Sequence, residues 1–111
     1  MIKRKAKRKD VHLQAWLYAG ERYYAGTIEN ISVDGIYVQF ITAPTESAKD
    51  FLPVSQFRLE LQLPSGTKLA INCESRWINI YITPPDSIVN RLGIQLIDSP
   101  QELKDYVSSL P

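Results

Sequence analysis

The sequence predicts a mainly all-β domain, a small antiparallel β-barrel of six or seven short strands with a C-terminal helix laid on it as a lid. Apolar residues recur at every second position in several separate stretches, the mark of half-buried strands. Clusters of Gly, Pro, Ser and Asp punctuate those stretches. No helical segment between them is long enough to cross between parallel strands, so the strands must pair antiparallel and hide their edges by closing on themselves. At 111 residues the chain has room for one core and one domain.

The first strand begins at Val11, with Val11, Leu13, Ala15 and Leu17 on one face and His12, Gln14, Trp16 and Tyr18 on the other. "AGER" supplies a turn, and a second strand spans about residues 23–30. "NISVDG" (30–35) connects it to "IYVQFI", where Ile36, Val38 and Phe40 alternate with Tyr37, Gln39 and Ile41. "TAPTESAKDFLPVS" reads as a loop with one helical turn around "ESAKDF". Phe57, Leu59, Leu61 and Leu63 mark the next strand, "PSGT" turns the chain, and "KLAINCESRWINIYI" is a long strand. The prolines of "TPPDS" cannot join a central ladder, and "NRLGIQLI" is the last strand. The helix is expected over 100–109, with Ser99 as N-cap, Pro100 in the first helical position and Glu102 closing a capping box. Leu103, Tyr106, Val107 and Leu110 give it one apolar face.

Composition narrows the function. Hydrophobic residues make up 44% and charged residues 23%, ordinary for a globular protein. No apolar run approaches the roughly 20 residues of a membrane span, and the basic start is followed by alternating residues where an export signal would carry a continuous apolar run. A cytoplasmic location is expected. The single Cys73 lies in a strand and reads as a small buried thiol. With His12 the only histidine, no Cys/His cluster of metal-binding spacing exists in the sequence. No motif places a nucleophile beside a base, so an enzyme is not expected, nor is a cofactor.

The charge is unevenly spread. Residues 1–10, "MIKRKAKRKD", hold six basic residues against one acidic, a balance of +5; the rest holds seven basic against eleven acidic, a balance of −4. The first ten residues read as a flexible basic arm before a barrel domain over 11–111. Such an arm seeks anions. The acidic remainder argues against a long nucleic-acid track, so DNA and RNA are not expected partners.

Two short motifs carry chemistry. Arg4 and Arg8 stand four apart, and each guanidinium offers a planar fork that fits a phosphate or the O6 and N7 atoms of guanine. Asn30 and Ser32 sit where side-chain donors and acceptors can face a base edge, and Gly35 permits close backbone approach. Each motif alone also fits a plainer reading. The arm can be a solvated tail; "NISVDG" can be a hairpin turn in which Asn30 or Ser32 bonds local backbone and Asp34-Gly35 supplies positive φ. Trp16 and Trp77 read first as core or barrel-wall residues, with Trp77 able to stack on a base if it lies near the site. Arg76 and Arg91 read as solvated, either able to add a phosphate contact.

Taken together, Arg-x-x-x-Arg, a strand pair and then Asn-x-Ser-x-x-Gly opening the next strand resemble the signature of the PilZ family of cyclic di-GMP receptors. "ESRWINI", "RLGIQLI" and the terminal helix are similar to that family's closing strands and lid, so the resemblance covers nearly the whole chain. It implies a six-stranded PilZ-type barrel that binds cyclic di-GMP on its outer face while the arm wraps the ligand. It implies ligand contacts at Arg4, Arg8, Asn30, Ser32 and Gly35, with Lys3, Lys5, Asp34 and Trp77 as secondary candidates. Lys3 occupies the position that the family links to ligand stoichiometry, and a cation there favours a stacked pair over one molecule. The resemblance further implies an unidentified protein partner that reads the arm's rearrangement. The alternative is a PilZ-like adaptor that keeps the barrel, does not bind the nucleotide and acts through protein contacts.

Overall fold

The computed structural model describes residues 8–42, 55–83 and 87–111. The expected helical turn at 46–51 and most of the expected arm, residues 1–7, lie outside them. Six strands, β1 (Lys9–Ala19), β2 (Arg22–Ile31), β3 (Gly35–Thr42), β4 (Gln56–Gln62), β5 (Lys68–Thr83) and β6 (Ser87–Ile97), precede one helix, α1 (Gln101–Ser109). They close into a barrel in the order β1-β2-β3-β6-β5-β4, every neighbouring pair antiparallel, with β4 joined back to β1.

Alternation builds this barrel. Leu13, Ala15 and Leu17 of β1, Ile36, Val38 and Phe40 of β3, Phe57, Leu59 and Leu61 of β4, and Leu92, Ile94 and Leu96 of β6 are all buried in one cluster. Each aliphatic side chain removed from water in this way contributes about 1.5–3 kcal/mol, set against the entropy of ordering it. The tight turns carry the expected chemistry: Gly20 and Gly66 both have positive φ, 63° and 95°. Ala19 pairs with Arg22 across a two-residue loop that opens on Gly20.

The pairing register slips in three places. Register shifts fall between Asp10 and Leu13 in β1, between Ile28 and Asn30 in β2, and between Ser75 and Trp77 in β5. Each inserts an extra residue into its strand and bends it; those in β2 and β5 also turn a side chain to the other face, whereas β1 keeps its alternation through Asp10, Val11, His12 and Leu13.

Helix α1 closes one end of the barrel. Leu103 and Val107 are buried and Tyr106 and Leu110 pack against the core, the apolar face expected from the spacing. Its start differs from expectation: Pro100 is the N-cap, no side chain caps the first turn, and no capping box forms. The Ser99 hydroxyl instead donates to the carbonyl of Val33 at 2.6 Å, tying the helix entry to the segment between β2 and β3. At the other end the helix has no basic residue in its last turn. Lys9 supplies the cation from across the fold, its Nζ donating to the carbonyls of Val107 at 3.0 Å and Leu110 at 2.7 Å.

Candidate functional site

The register of the barrel lays out one outer face. Asp10, Asn30, Tyr37, Gly93 and Trp77 pair in a continuous row across β1, β2, β3, β6 and β5. Beside it runs a second row, Gly35, Gln95 and Glu74, across β3, β6 and β5. Directly paired residues point to the same side of a sheet, so both rows present their side chains outward.

Arg8 enters this face immediately before β1. Its Nη1 donates to Asn30 Oδ1 at 3.0 Å, and its Nη2 lies 3.0 Å from where a Cβ on Gly35 would stand. Such a Cβ would also lie 3.3 Å from the Ile94 carbonyl oxygen. Gly35 therefore serves close approach. Its expected role as a positive-φ turn residue is not seen, and Asp34 does not take positive φ either: among the described residues only Gly20, Gly66 and Asp98 do.

Ser32 divides the two readings of "NISVDG". Its side chain is buried and bonds locally: the hydroxyl donates to Asp34 Oδ1 at 2.8 Å and accepts from the Gly35 amide at 3.1 Å. The Ser32 amide donates to the Gly35 carbonyl at 2.8 Å. Asp34 is anchored in turn, its carbonyl accepting from the Leu96 amide at 3.0 Å. Ser32 thus fixes the loop that presents Asn30 and Gly35, and its own hydroxyl faces the loop. Arg4, Lys3 and Lys5 lie outside the described residues.

Trp77 lies on the outer wall and is 39% exposed. The place a Gly93 Cβ would fill is taken by the indole, and Tyr37 meets the same ring edge-on, with centroids 5.3 Å apart at 86°. A ring held on a bare glycine and buttressed by a tyrosine has a fixed orientation and open surface, the requirement for stacking a planar ligand. Trp16 is also a wall residue, away from this face, with Lys68 Nζ 5.0 Å from its ring centroid.

On β5 the bulge turns Trp77 outward next to Arg76, which alternation from the buried Ser75 already places outside. Arg76 Nη1 donates to Gln95 Oε1 at 3.0 Å and to Glu74 Oε1 at 3.3 Å. Sequence reasoning passed over Tyr37, Gly93 and Gln95, which become site residues only through the β3, β6 and β5 pairing. On the opposite side the face borders an open groove of about 530 Å³ lined by Asp10, Val11, His12, Thr27, Glu29 and Gln39.

Burial pushes the Cys73 thiol up to about 12, so it stays protonated at neutral pH. Among the described residues no group of three or more His, Cys, Asp or Glu side chains is placed to hold a metal ion. No helix of the described residues is long and apolar enough to cross a membrane.

In this small closed barrel an arginine and a short polar motif meet on the outer face, an arrangement chemically able to hold an anionic or planar ligand. The family model for the PilZ domain matches residues 2–109, and the chain belongs to that family. No curated protein matches it. Among solved structures, the PilZ domain of YcgR from Escherichia coli with c-di-GMP is 12% identical with a TM-score of 0.71, and the match covers 96% of this chain and 87% of that one. The K. pneumonia MrkH complex with c-di-GMP is 13% identical with a TM-score of 0.70, covering 97% of this chain and 50% of the other. The Bacillus subtilis inhibitor of motility, MotI/DgrA, is 20% identical with a TM-score of 0.70, covering 97% and 50%. The chain thus spans half the length of the MrkH and MotI chains. At these identities the likeness is one of fold, and the fold is the six-stranded barrel with a C-terminal helix that the sequence led us to expect.

Proposed function

We propose that this domain is a non-enzymatic cytoplasmic receptor for cyclic di-GMP. The observation that carries the reading is Arg8, held by Asn30 over Gly35 in a chain of the PilZ family. A guanidinium so placed has donors with no partner among the described residues to offer a phosphate or a guanine edge, and the bare glycine beneath lets it lie close to the sheet. Support also comes from the c-di-GMP present in the YcgR and MrkH structures.

In this reading the arm brings Arg4 to the ligand beside Arg8, with Lys3 and Lys5 adding charge and Lys3 favouring a stacked pair. Asn30 contacts the base edge through its amide, Ser32 and Asp34 hold the loop in shape, and Trp77 offers its exposed surface to a guanine. Ordering the arm costs about 1–2 kcal/mol per residue fixed, and the charge-assisted contacts offset that cost. The ordered arm then presents a changed surface to a protein partner.

Isothermal titration of the purified protein with cyclic di-GMP, GMP and cyclic di-AMP tests this, with Arg8→Ala in parallel. Saturable binding selective for cyclic di-GMP, weakened about tenfold to a hundredfold in the variant, is the expected result. A folded protein that binds none of the three would overturn the receptor reading and leave the adaptor.

A further inference from the structure

Building on the receptor reading, we propose that Arg76, oriented by Gln95, is a second cationic contact for the dinucleotide, facing Arg8 across the Gly35 and Gln95 pair. Three observations converge on it. The bulge between Ser75 and Trp77 turns Trp77 outward beside Arg76, so two consecutive residues face the ligand where strict alternation would have left Arg76 alone. Gln95, the residue that holds the guanidinium at 3.0 Å, is the direct register partner of Gly35, over which Arg8 lies. Arg76 and Arg8 therefore flank one pair of β-strand residues, with the exposed indole of Trp77 beside them.

The donor inventory of Arg76 leaves it open to a ligand. Nη1 is taken by Gln95 and Glu74, whereas Nε and Nη2 have no hydrogen bond among the described residues. The guanidinium side chain is 56% exposed, and one of its two acceptors is a neutral amide that orients it without neutralising it. The other, Glu74 Oε1, pairs with the same Nη1 at 3.3 Å and leaves the remaining edge of the fork to a ligand. A cyclic dinucleotide carries two phosphates and two guanines, more acceptors than the donors of a single arginine can meet. A second pre-aimed fork on the far side of the glycine floor meets them at little ordering cost.

Arg76 is a binding residue in this account and Gln95 a positioning residue, and the two roles separate experimentally. Titrations of cyclic di-GMP into wild-type protein, Arg76→Ala, Arg76→Lys, Gln95→Ala and the double variant form a cycle. Arg76→Ala is expected to weaken binding about tenfold to a hundredfold. Arg76→Lys should recover only part of it, because an ammonium lacks the planar fork. Gln95→Ala should weaken binding several-fold in the wild-type background and have no further effect once Arg76 is alanine. Both side chains are exposed, so melting temperatures should stay at the wild-type value and report that each variant is folded. Arg76→Ala binding as tightly as wild type would overturn the inference while leaving the receptor reading intact. So would a Gln95→Ala loss that persists undiminished in the Arg76→Ala background. Absence of binding by the wild-type protein would overturn both.

Discussion

Replacing Gly93 with alanine puts a methyl group where the Trp77 indole lies. The three atoms nearest to that methyl, Cε2, Nε1 and Cζ2, all belong to the ring, so the indole has to leave its seat. Trp77 is 39% exposed, which leaves about 150 Å² of its surface covered. At about 25 cal/mol per Å² the ceiling on the loss is near 4 kcal/mol. The ring will find partial cover elsewhere on the wall, so a loss of about 1–3 kcal/mol is expected, a fall of roughly 5–15 °C in melting temperature. Thermal unfolding measures the stability. Emission from Trp77 in a Trp16→Phe background, shifted to the red, reports the ring's exposure. The cycle with Trp77→Ala is the sharper test, because once the indole is gone the methyl at 93 loses the atoms it overlaps. The destabilisation by Gly93→Ala should largely disappear there. Additive losses, or an unchanged melting temperature in the single variant, would refute the claim that Gly93 exists to seat the indole.

Gly35→Ala crowds Arg8 Nη2 at 3.0 Å and the Ile94 carbonyl at 3.3 Å. The flexible guanidinium gives way, so melting should change by no more than a few degrees while cyclic di-GMP affinity, read by titration, falls about tenfold or more. Lys9→Met removes the cation from the Val107 and Leu110 carbonyls. A loss of about 1–2 kcal/mol is expected in denaturant unfolding, with hydrogen exchange fastest in α1. Cys73, raised from 9.0 to about 12, stays protonated in the folded chain while the unfolded chain loses its proton near 9. Stability should therefore be intact below pH 9 and fall by about 1.4 kcal/mol per pH unit between 9 and 12 from this group, a slope that Cys73→Ala removes.

Local periodicity carried most of the fold. The inward faces of β1, β3, β4 and β6 follow directly from alternation, and the apolar face of α1 from its three-and-four spacing. What was misjudged involved partners far away in sequence. Ser99 has the residue type and position of an N-cap, but Val33, 66 residues earlier, offers its hydroxyl a carbonyl, and the tertiary bond wins. Asp34-Gly35 has the look of a positive-φ turn, yet the glycine is required by Arg8 and by the Ile94 strand, neither of which is local. In the candidate site Arg8, Asn30 and Gly35 were legible because they fall in a spaced motif. Tyr37, Gly93 and Gln95 were not, because a site residue on β6 is defined by which strands flank it, and β6 sits between β3 and β5 only once the barrel closes.

One signal for the site was present in the sequence in a form that alternation alone overlooks. In β2 the buried residues are Tyr24, Ile28 and Ile31, and the last interval is three where a regular strand allows two or four. In β5 the inward series Leu69, Ile71, Cys73 and Ser75 resumes at Ile78, again after three. A strand that keeps its apolar face in the core while changing phase must hold an extra residue, and the register shifts fall at those two places. The phase change decides which chemistry faces out. Without the β2 bulge, Asn30 would point into the barrel beside Ile28 and could not reach Arg8. Without the β5 bulge, Trp77 would follow Ser75 inward and Gly93 would have no ring to seat. The irregular intervals are therefore what convert a closed apolar barrel into one with a polar and aromatic outer face, and they cost the core nothing because Ile31 and Ile78 restore its packing one residue later.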